Sequence, residues 1–307
     1  MSRRFWLVVV LGAIVCGLLG RPGAAKLEPK DIKTRLKSEL QTAPALFALK
    51  PAGHPIRVLA FGDFGDGRKG QREVAAGMSQ YHQQRPFDFG ITLGDNFYNK
   101  GMKGVEDPRW RTRWDTLYDP LRIRVYAVLG NHDYGSPQSP EAEILYSQKS
   151  PSWRMPATQY TYTAGWAQFF AIDSQVMSPA QLGWLRKELE ASQLRWKIVY
   201  GHHPIYSHGR HGDNPSLIRD LLPVLRGRAD VYLAGHDHDM QHLKPEGNLH
   251  FFVSGSGGKK RSIRAGPRSL FARSALGFAV LEADGASLKI VFIEKNLNPV
   301  YEYTLKK

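Results

Sequence analysis

The chain has 307 residues, 42% of them hydrophobic, and 42 Lys and Arg against 28 Asp and Glu give it a formal charge of +14. That length and apolar content supply a core for one large domain or two small ones and exclude a disordered or low-complexity protein. The positive balance concentrates anions around the molecule, but the basic residues are scattered in short runs such as Lys259-Lys260-Arg261, with no nucleic-acid-binding module, so nucleic acid is not an expected partner.

In chain order, Arg3 and Arg4 precede an apolar run from Phe5 to Leu19 and then Gly23, Ala24 and Ala25, the layout of a secretory signal peptide over residues 1–25. A membrane span needs about 20 apolar residues, more than this run offers, so no stable span is expected after the leader is removed. The two arginines also suggest twin-arginine export, and the expected location is secreted or periplasmic. Cys16 is the only cysteine and lies in the leader. The mature chain therefore has neither disulfides nor thiolate metal ligands. Residues 26–54 read as a polar surface extension with a short helix around Asp31 to Leu40.

Residues 55–307 read as a single domain. Short apolar runs at Arg57–Phe61, Phe87–Leu93, Val125–Leu129, Trp196–Tyr200, Val231–Ala234 and Phe251–Val253 have the length and β-branched or aromatic content of buried strands. Helices alternate with them. One opens at Ser178-Pro179 and carries Leu182, Leu185 and Leu189 on one face, and another opens at Asn214-Pro215 and is broken near Pro223. Gly277–Ala283 and Leu288–Glu294, joined at Asp284-Gly285, read as an antiparallel hairpin. The pattern predicts an α/β layered fold with mixed sheets.

Polar clusters follow five of the strands: Gly62-Asp63-Phe64-Gly65, Gly94-Asp95-Asn96-Phe97-Tyr98, Gly130-Asn131-His132-Asp133, Gly201-His202-His203-Pro204 and Gly235-His236-Asp237-His238. Strand carboxyl ends are where open α/β sheets place ligands, and the leading glycines allow sharp turns there. Carboxylate, carboxamide and imidazole groups without thiolates suit iron, zinc or manganese. There are too many donors for one ion, and a carboxylate can bridge two ions about 3.5–4 Å apart. Asp95 is the candidate bridge, Asp63 opens the ligand set, and Asn131 and His202 add an oxygen and a nitrogen. His236 and His238 are placed to face different ions. Ser254-Gly255-Ser256-Gly257-Gly258-Lys259-Lys260 suggests an anion cradle of backbone amides, or else a flexible surface loop.

This motif series resembles that of the calcineurin-like metallophosphoesterases, and Tyr98 after Gly-Asp-Asn-Phe resembles the mark of their purple acid phosphatase family, closest to the small tartrate-resistant acid phosphatases. The resemblance runs from about Arg57 to the C-terminus. It implies a four-layer α/β/β/α sandwich of two mixed β-sheets flanked by helices. It also implies Fe(III) on Asp63, Asp95, Tyr98 and His238, and a divalent ion, Fe(II), Zn or Mn, on Asp95, Asn131, His202 and His236. A phenol with a pKa of about 10 binds iron only as phenolate, which a trivalent ion favours. His132 would touch the phosphate and His211 would stand near the leaving group, while His208 and His203 read as a solvated loop residue and a supporting one. Only Ser174–Ser178 separates Asp173 from the next helix, which implies a more open site than in the mammalian relatives.

The implied activity is that of a monomeric acid phosphatase acting on small phosphate monoesters, with a metal-bound hydroxide attacking phosphorus. The alternatives are a phosphodiesterase or nucleotide hydrolase on the same binuclear site, and a non-catalytic anion- or nucleic-acid-binding protein. The mark of the latter would be a lost metal ligand, and the sequence keeps them all.

Overall fold

The computed structural model describes residues 45–307. The leader and the helix expected around Asp31 to Leu40 lie outside the described residues. Strands β1 (Phe47–Lys50) and β2 (Ile56–Phe61) are followed by helix α1 (Lys69–Gln84) and β3 (Phe89–Thr92). Irregular helical turns over Arg111–Leu121 then lead to β4 (Val125–Tyr126), α2 (Ser139–Tyr146) and β5 (Trp153–Arg154). Next come β6 (Tyr160–Ala164), β7 (Ala167–Ala171), α3 (Pro179–Ala191), β8 (Trp196–Tyr200), α4 (Pro215–Asp220), α5 (Leu222–Leu225) and β9 (Val231–Ala234). The last strands are β10 (Met240–Glu246), β11 (Leu249–Ser254), β12 (Ser269–Arg273), β13 (Gly277–Ala283), β14 (Ser287–Glu294) and β15 (Pro299–Lys306).

Two mixed sheets result, one of eight strands ordered β1-β6-β7-β8-β9-β11-β10-β12 and one of seven ordered β15-β14-β13-β2-β3-β4-β5. In the second, β2 to β5 run parallel, and the expected β13–β14 hairpin adds antiparallel to the free side of β2. Three buried clusters define four layers. Val58, Ala60, Ile91, Phe169, Ile198 and Leu233 pack between the sheets. Leu59, Phe61, Val74, Met78 and Trp114 pack one sheet against α1 and the 111–121 turns, while Leu185, Leu189, Leu217, Leu222 and Val199 pack the other against α3 to α5. Successive β2 residues thus point into different cores. A strand buried on both faces reads as a continuous apolar run, as this one does.

Helix signals read locally match the structure. The Ser178 hydroxyl accepts from Gln181 N at 3.2 Å and the Asn214 side chain from Leu217 N at 3.1 Å, each satisfying an otherwise orphaned amide. The 214–225 segment breaks into two helices at Leu221, ahead of Pro223. The domain boundary at 55 needs correction. Phe47–Lys50 is an edge strand parallel to β6, with Phe47 and Leu49 packed on the inter-sheet core, because two alternate apolar side chains suffice to dock it. The β6–β7 hairpin was not expected either; within it Thr161 is buried and donates to Phe169 O at 2.9 Å.

Candidate metal centre

The carboxyl ends of β2, β3 and β4 from one sheet and of β8 and β9 from the other meet at one edge of the sandwich. Asp63 N donates to Gly94 O at 3.0 Å within one sheet, while Gly62 N donates to Ser254 O at 2.9 Å and His236 N to Asp63 Oδ2 at 2.7 Å, so the two sheets are stitched together at this edge. Asp63, Asp95 and His236 take left-handed φ values of 59°, 52° and 70°. For residues with a Cβ this conformation is costly, and it persists where the surroundings over-determine it. The turning role expected of the leading glycines therefore needs correction: of those five, Gly94 alone has positive φ, and the following residue often makes the turn. Gly130 is required for closeness instead, since a Cβ there would lie 2.2 Å from Asp95 N.

The donors fall into two groups. In the first, the Tyr98 hydroxyl is 3.0 Å from Asp63 Oδ1 and 3.3 Å from His238 Nε2, and His238 Nε2 is 3.4 Å from Asp63 Oδ1. In the second, His202 Nε2 is 3.1 Å from Asn131 Oδ1, 3.1 Å from His236 Nδ1 and 3.4 Å from Asp95 Oδ1. Asp95 stands between them, near Asp63 and His202 at once. His202 Nδ1 is 2.8 Å from the Leu93 carbonyl. A carbonyl only accepts, so Nδ1 carries the proton and the neutral ring turns a lone pair inward at Nε2. That lone pair faces two oxygens which also only accept. Acceptors converging on an inward lone pair, with His236 Nδ1 the one neighbour able to offer it a proton, fit a cation, which would supply the missing positive charge.

The electrostatics agree. Burial, helped by the Asp95 charge and opposed by His202, pushes the Asp63 carboxyl up to about 7, and burial followed by the Asp63 and Asp95 charges holds the Tyr98 phenol far above its ordinary range. Burial and then His202 lower His203 to about 3, and burial lowers His238 to about 4. The lowered imidazoles are in the neutral form a metal takes, whereas Asp63 and Tyr98 would release protons on binding one.

A family model for calcineurin-like phosphoesterases matches residues 56–240. The chain is 30% identical to purple acid phosphatase 7 of Arabidopsis thaliana over 86% of this chain and 92% of that one. The chain belongs to the purple acid phosphatase family. It is also 29% identical to tartrate-resistant acid phosphatase type 5 of Sus scrofa, over 72% of this chain and 76% of the other. Among solved structures, GAP50, the anchor in the inner membrane complex of Plasmodium, superposes with a TM-score of 0.75 at 26% identity, covering 82% of this chain and 89% of that one.

Around this purple acid phosphatase centre the other histidines take distinct places. His132 is half-exposed on the rim, with Nδ1 2.7 Å from the Asn99 carbonyl and its ring 4.5 Å from that of Tyr98. His211 lies with its ring 4.0 Å from that of His236, and its main-chain N–H donates to Asp237 Oδ1 at 3.0 Å. His203 lies beside His202 and His236, close enough for the three rings to share an ion, while its Nδ1 meets Ser174 Oγ at 2.9 Å. His208 accepts from Arg268 N at 3.2 Å, which pins a loop. Asp133 and Asp237, both inside the motifs, turn to structural work: Asp133 accepts from Gly130 N, Asn96 N and Phe97 N, and Asp237 holds the Ser207–His211 loop.

In the glycine-rich run two amides are already used, since Gly255 N donates to Asp239 O at 3.2 Å and Gly257 N to Gly62 O at 3.0 Å. The glycines serve close packing instead: a Cβ on Gly258 would lie 2.4 Å from Phe64 O. Lys259 and Arg261, carried in by this loop, are the residues that sequence reasoning missed at the site. The only signal for them was the basic run itself.

Proposed function

We propose that this protein is a binuclear-metal acid phosphatase hydrolysing phosphate monoesters, with Fe(III) held by Asp63, Asp95, Tyr98 and His238 and Fe(II), Zn or Mn held by Asp95, Asn131, His202 and His236. The observation that carries the reading is the inward lone pair of His202 Nε2, set among oxygens of Asp95 and Asn131 that have no proton to share. Two bound cations would supply the charge that activates water and neutralises phosphate oxygens. The chain's own part is to hold and orient. Leu93 fixes the His202 tautomer, and Asn99 fixes that of His132, leaving an Nε2 lone pair that can accept from a phosphate hydroxyl. His211, on the rim beside His236, is the proposed donor of a proton to the departing ester oxygen through Nδ1, because Arg261 Nη1, 3.1 Å from Nε2, donates to that nitrogen.

The similarity to an anchor protein favours a second, non-catalytic reading. The same experiment decides between them. The purified protein should contain about two metal ions, at least one of them iron, with a visible phenolate-to-iron band that Tyr98→Phe removes, and it should hydrolyse 4-nitrophenyl phosphate. Asp95→Asn and His202→Ala should each lower metal content and turnover together. Unchanged metal content and full activity in either variant would overturn the ligand assignment, and a metal-loaded wild type without turnover would favour the non-catalytic reading.

A further inference from the structure

The loop joining β11 to β12 stands on two fixed legs. At the first, Lys259 Nζ lies 3.4 Å from the centre of the Tyr98 ring and Arg261 N donates to His238 O at 2.8 Å, which sets this leg at the edge that carries the metal centre. At the second, Arg268 N donates to His208 Nε2 at 3.2 Å, and Gly266 and Ser269 close a turn on each other, Gly266 N donating to Ser269 Oγ at 3.0 Å and Ser269 N to Gly266 O at 2.9 Å. Between the legs is a tip, Ser262-Ile263-Arg264-Ala265, which among the described residues neither donates nor accepts a hydrogen bond. Ser262, Arg264 and Ala265 are exposed, and Ile263, half-buried, belongs to none of the three apolar cores. Just past the second leg, on the edge strand β12, Leu270 is 44% exposed. It points away from the inter-sheet core, into which its neighbour Phe271 turns.

The charge on this stretch has one sign. From Gly247 to Leu281 the sequence has no Asp or Glu, while Lys259, Lys260, Arg261, Arg264, Arg268 and Arg273 fall within it. Arg268 and Arg273 are answered from outside the stretch by Glu246 and Glu294. Among the described residues Lys260, Arg261 and Arg264 have no carboxylate within 4.0 Å, nor has the exposed Arg210, next to the His211 that Arg261 reaches. Cations alone would suit any polyanion, and a nucleic acid would pair with them while leaving Ile263 and Leu270 in water. Apolar side chains set among cations need a partner with negative charge at its surface and apolar depth beneath, and an anionic lipid layer has both. We propose that the segment 259–270 docks the protein on an anionic lipid surface, with Lys260 and Arg264 against the lipid phosphates and Ile263 and Leu270 at the boundary between headgroups and acyl chains. The tip's amides set the depth, because backbone without internal hydrogen bonds is not tolerated in hydrocarbon but is satisfied among hydrated headgroups. This is attachment to a surface rather than a span, and no described helix is long and apolar enough to cross a membrane. It requires nothing of the chemistry at the metal centre.

The test is co-sedimentation of the purified protein with vesicles of phosphatidylcholine alone and of phosphatidylcholine mixed with phosphatidylglycerol, for wild type, Arg264→Gln, Lys260→Gln, Ile263→Ser and Leu270→Ser. Lys187→Gln, exposed on α3, and Leu46→Ser, beside the strand at the opposite edge of the same sheet, control for the loss of any surface cation and of any exposed leucine. Wild type should bind the mixed vesicles and leave them as salt rises. Arg264→Gln and Lys260→Gln should each weaken that binding by about fivefold, the equivalent of about 1 kcal/mol for a basic residue at an anionic surface. Ile263→Ser and Leu270→Ser should weaken it by about threefold or more through lost apolar burial, and the two controls should bind as wild type does. Because the tip makes no hydrogen bonds, Arg264→Gln and Ile263→Ser should keep the wild-type urea midpoint. Equal wild-type binding to both kinds of vesicle, unchanged binding in the loop variants, or equal losses in the controls would overturn the proposal by placing the attachment elsewhere in the chain. Absence of wild-type binding to the mixed vesicles would also overturn it, and duplex-DNA binding that Arg264→Gln weakens and Ile263→Ser leaves intact would then assign the patch to nucleic acid.

Discussion

His211 is exposed at the rim but held there: the Asp237 carboxylate fixes its main chain, His236 lies against its ring and Arg261 reaches its Nε2. If it protonates the leaving group, His211→Ala should cost on the order of 10²-fold in kcat/KM for an alkyl phosphate and much less for 4-nitrophenyl phosphate, whose leaving group departs without a proton. Equal losses for the two esters would show that it only binds phosphate. At this scale the motifs carried most of the information, since each ligand type follows a strand within a few residues. The roles inside a motif were not legible. Asp133 and Asp237 look as capable of binding metal as Asp63 and Asp95, and what separates them is which amides their oxygens meet after folding.

At the scale of elements, α2 is tied to the β3 turn through a buried carboxyl. Glu143 Oε2 accepts from Asn96 Nδ2 at 2.9 Å and Oε1 from Ser139 Oγ at 2.9 Å. Burial, and then the Asp133 charge, push the Glu143 carboxyl well above its ordinary 4.5. The folded protein therefore keeps a proton that the unfolded chain has released once the pH exceeds 4.5, so this group makes stability fall as pH rises towards the raised value. Glu143→Gln, which copies the neutral form, should stay within about 1 kcal/mol of wild type at pH 7 and flatten that slope, whereas Glu143→Ala should lose roughly 1–3 kcal/mol by stranding buried partners. Urea unfolding across pH checks this, and equal damage from Gln and Ala would refute it. Helix caps at Ser178 and Asn214 were legible because capping is local chemistry. Strands such as β10, β12 and β15, with exposed polar positions, were not, because their partners supply the reason they are strands.

Over the whole molecule, the two sheets also meet through His242 on β10, whose Nδ1 is 2.8 Å from Tyr301 OH on β15 and whose Nε2 is 3.1 Å from His250 Nδ1 on β11. Burial, and then His250, lower His242 from 6.5 to about 3. Below pH 6.5 the unfolded chain takes up a proton that the folded protein refuses, so stability falls as pH drops from 6.5 towards about 3. The slope is up to about 1.4 kcal/mol per pH unit from this group. The urea midpoint should decline over that range, and His242→Gln should show a shallower decline; an unchanged slope would refute the assignment. Of this protein the sequence alone determined the strand-and-helix alternation, the metal-compatible residue types and their places after strands, because burial periodicity, capping and ligand chemistry are written in neighbouring residues. Only the tertiary structure decided which carboxylates point at the centre, that Phe47–Lys50 joins a sheet, and that Lys259 and Arg261 overhang Tyr98 and His211. Each of these depends on two sheets meeting edge to edge and on a loop reaching across them, and such distances have no counterpart in spacing along the chain.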